Sequence, residues 1–162
     1  DLVRDAKEQI ARGARSVGRD PAEIDLWWFV KWNLDDDRER AVHEARMTLT
    51  ASANHAFRFS LEGKRIPEAY KDKILQLQKA YVFSEHESVG AHRRNAEIVD
   101  ELGLTDYLAD RFTLCGPPEL FTNRIAMLRD AGVENLLMAF FGETERDAKH
   151  ERLATEVMSR FS

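Results

Sequence analysis

RFTLCGPPELFTNRIAMLRDAGVENLLMAFF, residues 111–141, decides the fold. Residues 111–115 form a short extended run halted at Gly116-Pro117-Pro118, because a proline pair can neither continue a strand ladder nor sit inside a helix. A new element begins there. Pro117 or Pro118 suits a first helical turn, and Glu119 complements the positive end of the helix. Leu120, Ile125, Leu128 and the Phe121/Met127 pair fall on one broad apolar stripe. Ala131-Gly132 then closes this amphipathic helix with a residue that tolerates left-handed geometry. Residues 135–141 are a continuous apolar run, the pattern of a strand covered on both faces. Strand, helix and strand at this spacing predict a parallel α/β arrangement.

Upstream, residues 24–34 (IDLWWFVKWNL) are β-branched and aromatic and read as a second strand. Trp27, Phe29 and Lys31 share one face, and Trp28, Val30 and Trp32 share the other. Two readings of Lys31, Trp32 and Asn33 stand side by side. They form a wall of an active-site face at the strand's C-terminal end, or the tryptophans pack and Lys31 snorkels to water. Asp35 or Asp36 is expected to cap the long helix that follows, which carries Ala41, Ala45, Leu49 and Ala53 on a small-residue stripe. Capping and dipole complementation explain the three aspartates better than a metal does, since consecutive residues at a helix start point in different directions. That helix ends in a polar and aromatic cluster, Asn54, His55, Phe57 and Arg58, where His55 is either a contact residue or a hydrogen-bonded structural histidine.

Residues 58–95 hold eight positive charges against five negative ones and are net +3, whereas the remainder of the chain is −8. A short helix after Pro67 carries Tyr70, Ile74, Leu77 and Tyr81, and the polar stretch with His86, Gly90 and His92 is a loop candidate. His86 and His92 lack the i, i+4 spacing of a helical metal pair, so no metal is expected. Short helices are expected at 95–102 and 105–110, separated by Gly103. Cys115 has no neighbouring base in the sequence and is expected as buried filler. A terminal helix over 143–161 would turn Ala148, Leu153, Ala154, Val157 and Phe161 inward. The opening helix, residues 2–17, carries Leu2, Val3, Ala6, Ile10 and Ala14 at helical spacing and is expected as scaffold.

A chain of 162 residues is about one domain and can bury a core. Its net charge of −5 argues against nucleic-acid binding, and its single cysteine excludes a disulfide framework. No apolar run approaches the roughly 18 residues that span a bilayer, so no membrane is expected and the cytoplasm is the expected compartment.

The 112–140 segment resembles the closing part of the luciferase-like monooxygenases, in its Gly116-Pro117-Pro118-Glu119 turn, its Ala131-Gly132-Val133 helix end and its last strand. Pro117 stands where that family usually has threonine. Residues 24–57, including the Ser52–Phe57 run SANHAF, and the DELGLTDYLAD run at 100–110 are similar as well. The resemblance implies the C-terminal portion of a (β/α)8 TIM barrel, with residues 1–162 one partial domain, because a full barrel takes about 250 residues. It implies that residues 58–110 are an insertion after the Trp-rich strand on the catalytic face; the basic excess of its 58–95 part would attract a phosphate, polyglutamyl tail or carboxylate, or that part is simply a solvated surface loop. It implies a flavin- or deazaflavin-dependent oxidoreductase, using FMN or coenzyme F-420 on a small organic substrate. The pocket residues it points to are Lys31, Trp32, Asn33, His55, Arg58, Phe140 and Phe141. The missing N-terminal part of the same barrel would be the chain's partner, a homodimer is an option, and the fragment alone is expected to be inactive. A non-catalytic α/β or helical interaction domain is the competing reading.

Overall fold

The computed structural model describes residues 2–86 and 93–161, so Gly90 and His92 lie outside the described residues. It is α/β, helix-rich, with a small parallel sheet. Helix α1 (Leu2–Ser16) lies on the outside: Ala14 is buried, while Leu2 and Ile10 stay exposed. It is tied down by Lys7, whose Nζ donates to the Gly132 carbonyl at 2.5 Å, and by the Asp5–Arg65 ion pair. Strand β1 (Trp27–Leu34) leads into α2 (Arg38–Phe57). The cap of α2 is Asp37, correcting the expectation of Asp35 or Asp36: its carboxylate accepts from the amides of Glu39 (2.9 Å) and Arg40 (3.2 Å). The reason lies in the sheet, where the Asp35 amide still donates to the Gly116 carbonyl at 2.9 Å, so the chain is not released into helix until two residues later.

Helices α3 (Glu68–Ala80), α4 (Arg94–Glu101) and α5 (Thr105–Phe112) follow, the last two parted at Gly103, whose φ of +59° is the left-handed conformation that favours glycine. All three pack on α2 and supply Ile74, Leu77, Ile98, Val99 and Leu108 to a core shared with Ala41, Ala45, Leu49 and Phe57. Strand β2 (Thr113–Gly116) precedes α6 (Pro118–Asp130), with Pro118 in the first turn as the proline rule requires. Phe121 and Ile125 of α6 are buried, but Met127, expected on the same stripe, is 61% exposed.

Strand β3 (Asn135–Phe140) pairs in parallel with β1, from Trp27 opposite Asn135 to Trp32 opposite Phe140. β1 also pairs in parallel with β2, from Lys31 opposite Thr113 to Leu34 opposite Gly116, so the order is β2-β1-β3. Consecutive strands of a (β/α)8 barrel are neighbours in chain order, and this sheet departs from that by placing β1 in the centre. β1 is the longest strand and has the most backbone donors and acceptors to satisfy, so it gains most from having both edges paired. β3 is half-buried and pairs on one side; the expectation that it is covered on both faces is not met, with Leu137 54% exposed.

One sheet face, with Asn33 and Cys115, meets the core on α2. The other carries Trp32, Leu34 and Leu114 against Phe121, Ile125 and Val157. The terminal helical run covers 146–160 of the 143–161 expected, but it is not uniform: α7 (Arg146–Arg152) widens to a π-helix at Leu153–Val157 and tightens to a 3-10 turn at Met158–Arg160. Leu153, Val157 and Phe161 reach the second core, but Ala148 and Ala154 face solvent, and Lys149 is the residue of α7 that is buried. No helix among the described residues is long and apolar enough to cross a membrane.

Candidate functional site

Parallel strands gather functional groups at their C-terminal ends, where each strand gives way to a helix that can aim its N-terminus at the same place. Here those ends are Lys31 to Leu34 of β1 and Phe140 of β3 with Phe141 just beyond it, joined by the Phe141 amide donating to the Trp32 carbonyl at 2.8 Å. Period-two alternation sends Lys31 and Asn33 toward α2 and Trp32 toward α6 and α7. Lys31 is 8% exposed. Its ammonium donates to Thr48 Oγ1 at 2.5 Å and lies 4.7 Å from the centre of the Phe141 ring, so it neither snorkels to solvent nor lacks partners. Trp32 is 1% exposed and packs edge-on with Phe140 and His150, with ring centres 5.1 and 4.9 Å away.

Asn33 sits at the centre of a buried polar cluster. Its Nδ2 donates to the Ala41 carbonyl (3.1 Å) and Glu44 Oε2 (2.9 Å), while its Oδ1 accepts from Lys149 Nζ (2.9 Å). Lys149 also lies 3.3 Å from Glu44 Oε2 and 3.6 Å from Asp35 Oδ2. Glu44 reaches outward as well, accepting from the Glu143 amide (3.1 Å) and Thr144 Oγ1 (2.8 Å). Burial alone would raise the Glu44 carboxyl, but hydrogen bonds from Asn33, Thr144 and the Glu143 amide, with the Lys149 charge, hold it below the usual carboxylate range. Asp35 behaves alike: burial opposes ionisation, and the Arg40 fork, the Asp37 amide and the charges of Arg40 and Lys149 hold its carboxyl low. The cluster is therefore a set of ionised groups that satisfy one another, as buried charges must.

Above it, Glu44, Ala45, Met47 and Thr48 of α2 and the 140–143 segment enclose a cleft of about 160 Å3. Gly142 is required there: a Cβ would lie 2.5 Å from Asn33 Oδ1 and 2.7 Å from the Phe140 ring. A larger cleft, about 510 Å3, opens at the opposite end of the sheet beside Lys7, the 21–26 segment and Glu134. It lies where the strands begin, so the smaller cleft, at the strands' C-terminal ends, is the better chemical candidate.

Lys31, Trp32, Asn33, Phe140 and Phe141 are thus brought together. His55 and Arg58 are not with them, because α2 runs antiparallel to β1 and its far end lies about 16 Å along the helix from Glu44. There His55 stacks on His86, with ring centres 4.9 Å apart, Arg58 covers the Phe59 ring, and Tyr81 hydrogen-bonds His86 Nδ1. Cys115 is buried and its burial pushes the thiol up to about 11, which leaves it neutral and unreactive. No group of three or more histidine, cysteine, aspartate or glutamate side chains among the described residues is placed to hold a metal ion.

Glu44 and Lys149 escaped sequence reasoning. Glu44 falls on the face of α2 that also carries Thr48, four residues on, and that i, i+4 polar pair inside a small-residue helix is a legible signal. Lys149 lies within RDAKHER, where nothing in the letters separates a buried lysine from a solvated one.

A cleft of about 160 Å3 is smaller than the roughly 300–1,000 Å3 of typical cofactor sites, so this cleft by itself does not enclose a tricyclic flavin ring. The residues around it present an aromatic face, a buried ammonium and a backbone turn along one side.

The sequence profile described as luciferase-like monooxygenase matches residues 1–135. Among curated proteins, the chain is similar to a 5,10-methylenetetrahydromethanopterin reductase of Methanolobus tindarius, 28% identical over 134 residues. That alignment takes in 82% of this chain and 36% of the relative, so the chain spans about a third of the relative's length. No solved structure matches the chain.

Proposed function

The chain belongs to the luciferase-like monooxygenase family, and from that premise we propose that it supplies one wall of the pocket of a flavin- or deazaflavin-dependent oxidoreductase acting on a small organic substrate. The observation that carries this reading is the convergence of Lys31, Asn33 and Phe141 with Glu44 and Thr48 at the C-terminal ends of β1 and β3. FMN or coenzyme F-420 would bring the hydride or oxygen chemistry, and the protein's part is binding, orientation and charge. Phe141 offers an apolar face, Lys31 a cation buried beside it, and the Gly142–Thr144 turn a rim fixed by Glu44.

In this proposal the whole protein is a TIM barrel and this chain its C-terminal portion, with residues 58–110 the insertion. β3 would then leave β1 for the free edge of β2, and a strand outside this chain would take its place beside β1. In the isolated chain the open edge of β3 invites a homodimer instead. Size-exclusion chromatography reads the second outcome directly. Fluorescence titration with FMN and with coenzyme F-420 tests the first: the 162-residue chain should show no tight 1:1 binding, and tight binding would show that it forms a complete site by itself. The exposed Trp27, Phe29 and Leu137 favour the competing reading of an interaction domain; capture of a stable protein partner with no cofactor effect would support it.

A further inference from the structure

We propose that Lys149 is the positioning residue of this site, acting through Asn33 and Glu44 to fix the turn at residues 142–144 that rims the cleft. The inference rests on the pocket reading above, because it assigns a purpose to that rim, but the contacts that carry it stand on their own. Lys149 is 3% exposed, whereas Arg146, Asp147, Ala148, His150 and Glu151 of the same helix are exposed, and its ammonium reaches Asn33 near the end of β1. Ordering a lysine there costs rotamer entropy and desolvates an ammonium, so its partners must compensate.

Those partners form a directional chain. An asparagine amide has a donor end and an acceptor end, and a lysine can only donate. With Lys149 Nζ at 2.9 Å from Asn33 Oδ1, flipping the amide would set two donors against each other and would turn Oδ1 toward Glu44 Oε2 and the Ala41 carbonyl. Lys149 therefore sets which way Asn33 faces. Asn33 in turn donates to Glu44 Oε2, the same oxygen that accepts from Lys149 and from the Glu143 amide; Glu44 Oε1 takes the Thr144 hydroxyl. Gly142 rests directly on Asn33 Oδ1 with no room for a side chain. The turn is held from below by Asn33 and from the side by Glu44, and both are oriented by one ammonium group.

The account predicts a local effect that a general loss of packing would not produce. Amide hydrogen exchange, followed by NMR on the whole 162-residue chain, is compared for wild type, Lys149→Met and Lys149→Gln. In Lys149→Met the Glu143 amide should exchange about ten- to a hundredfold faster relative to the amides of β1 and α2, as expected when a charge-assisted hydrogen bond is weakened. The Glu44 side-chain carbon should titrate at higher pH. Lys149→Gln keeps one N–H donor for Asn33 Oδ1 and should fall between the two, and it carries the test if the methionine variant does not fold. An unchanged Glu143 amide, or an equal acceleration of all amides, overturns the proposal. Neither result depends on a cofactor, so failure here is separable from failure of the pocket reading, which the FMN and F-420 titrations decide.

Discussion

The two halves of β1 invert the usual rule. In its first half Trp27 and Phe29 are 61% and 56% exposed, while in its second half the polar Lys31 and Asn33 are buried together with Trp32 and Leu34. The strand is continuous and the register with β3 unbroken, so the difference comes from what covers each end. Over the second half α2 crosses one face and α6 and α7 the other, and each buried polar atom finds a partner. Over the first half β3 lies alongside, and the face carrying Trp27, Phe29 and Leu137 is open. Burial in this molecule follows the covering helices and not the hydrophobicity of the strand. The chemistry-bearing groups sit at the covered end because only there can a lysine and two carboxylates be held in fixed geometry.

The sharpest way to break this contrast is to truncate one tryptophan at each end. Trp32→Ala should lower the unfolding free energy by ~3–5 kcal/mol, as expected for a fully buried aromatic, whereas Trp27→Ala should cost less than about 1 kcal/mol. Urea unfolding measures both, and similar costs at the two positions would remove the distinction. A second pair uses glycines. Gly142→Ala forces a methyl group to 2.5 Å from Asn33 Oδ1 and should cost about 1–3 kcal/mol. Gly13→Ala, within α1 and with nothing inside 4 Å of the added methyl group, should gain roughly 0.5–1 kcal/mol.

A smaller effect concerns pH. Asp35 and Glu44 have folded-state pKa values depressed below their ordinary 3.8 and 4.5, so their contribution to stability is present above those values and lost as pH falls through the lower folded values. Wild type should lose stability between about pH 4.5 and the acid limit more steeply than Glu44→Gln, which no longer titrates there. Parallel slopes in acid unfolding curves would contradict the ionised cluster.

Much of the fold was legible because local chemistry dictates it. Pro117-Pro118 could only end one element and start another, Gly132 could close a helix, and the apolar runs around Trp28 and Leu136 could only be strands. What failed depends on residues far apart in sequence. Strand order cannot be read from pattern, and β1 became central because two later segments chose its two edges. Asp37 rather than Asp35 caps α2 because Gly116, some eighty residues on, still holds the Asp35 amide in the sheet. Ala148 and Ala154 lost the inward face to Lys149 because its partners, Asn33 and Glu44, lie more than a hundred residues away. Of the candidate site, Lys31, Trp32, Asn33, Phe140 and Phe141 lie together at one end because strand position alone places them there. His55 and Arg58 joined that group on resemblance, and the antiparallel run of α2 carries them to the opposite end.

The most direct test of the central claim, that the covered end of the sheet is the functional end, is NMR shift mapping of the 15N-labelled chain with FMN and with coenzyme F-420 at concentrations high enough to register weak binding. The account predicts saturable shifts at Lys31, Asn33, Glu44, Thr48 and residues 140–144. Shifts confined to Trp27, Phe29, His55 and Arg58, or none with either cofactor, would contradict it.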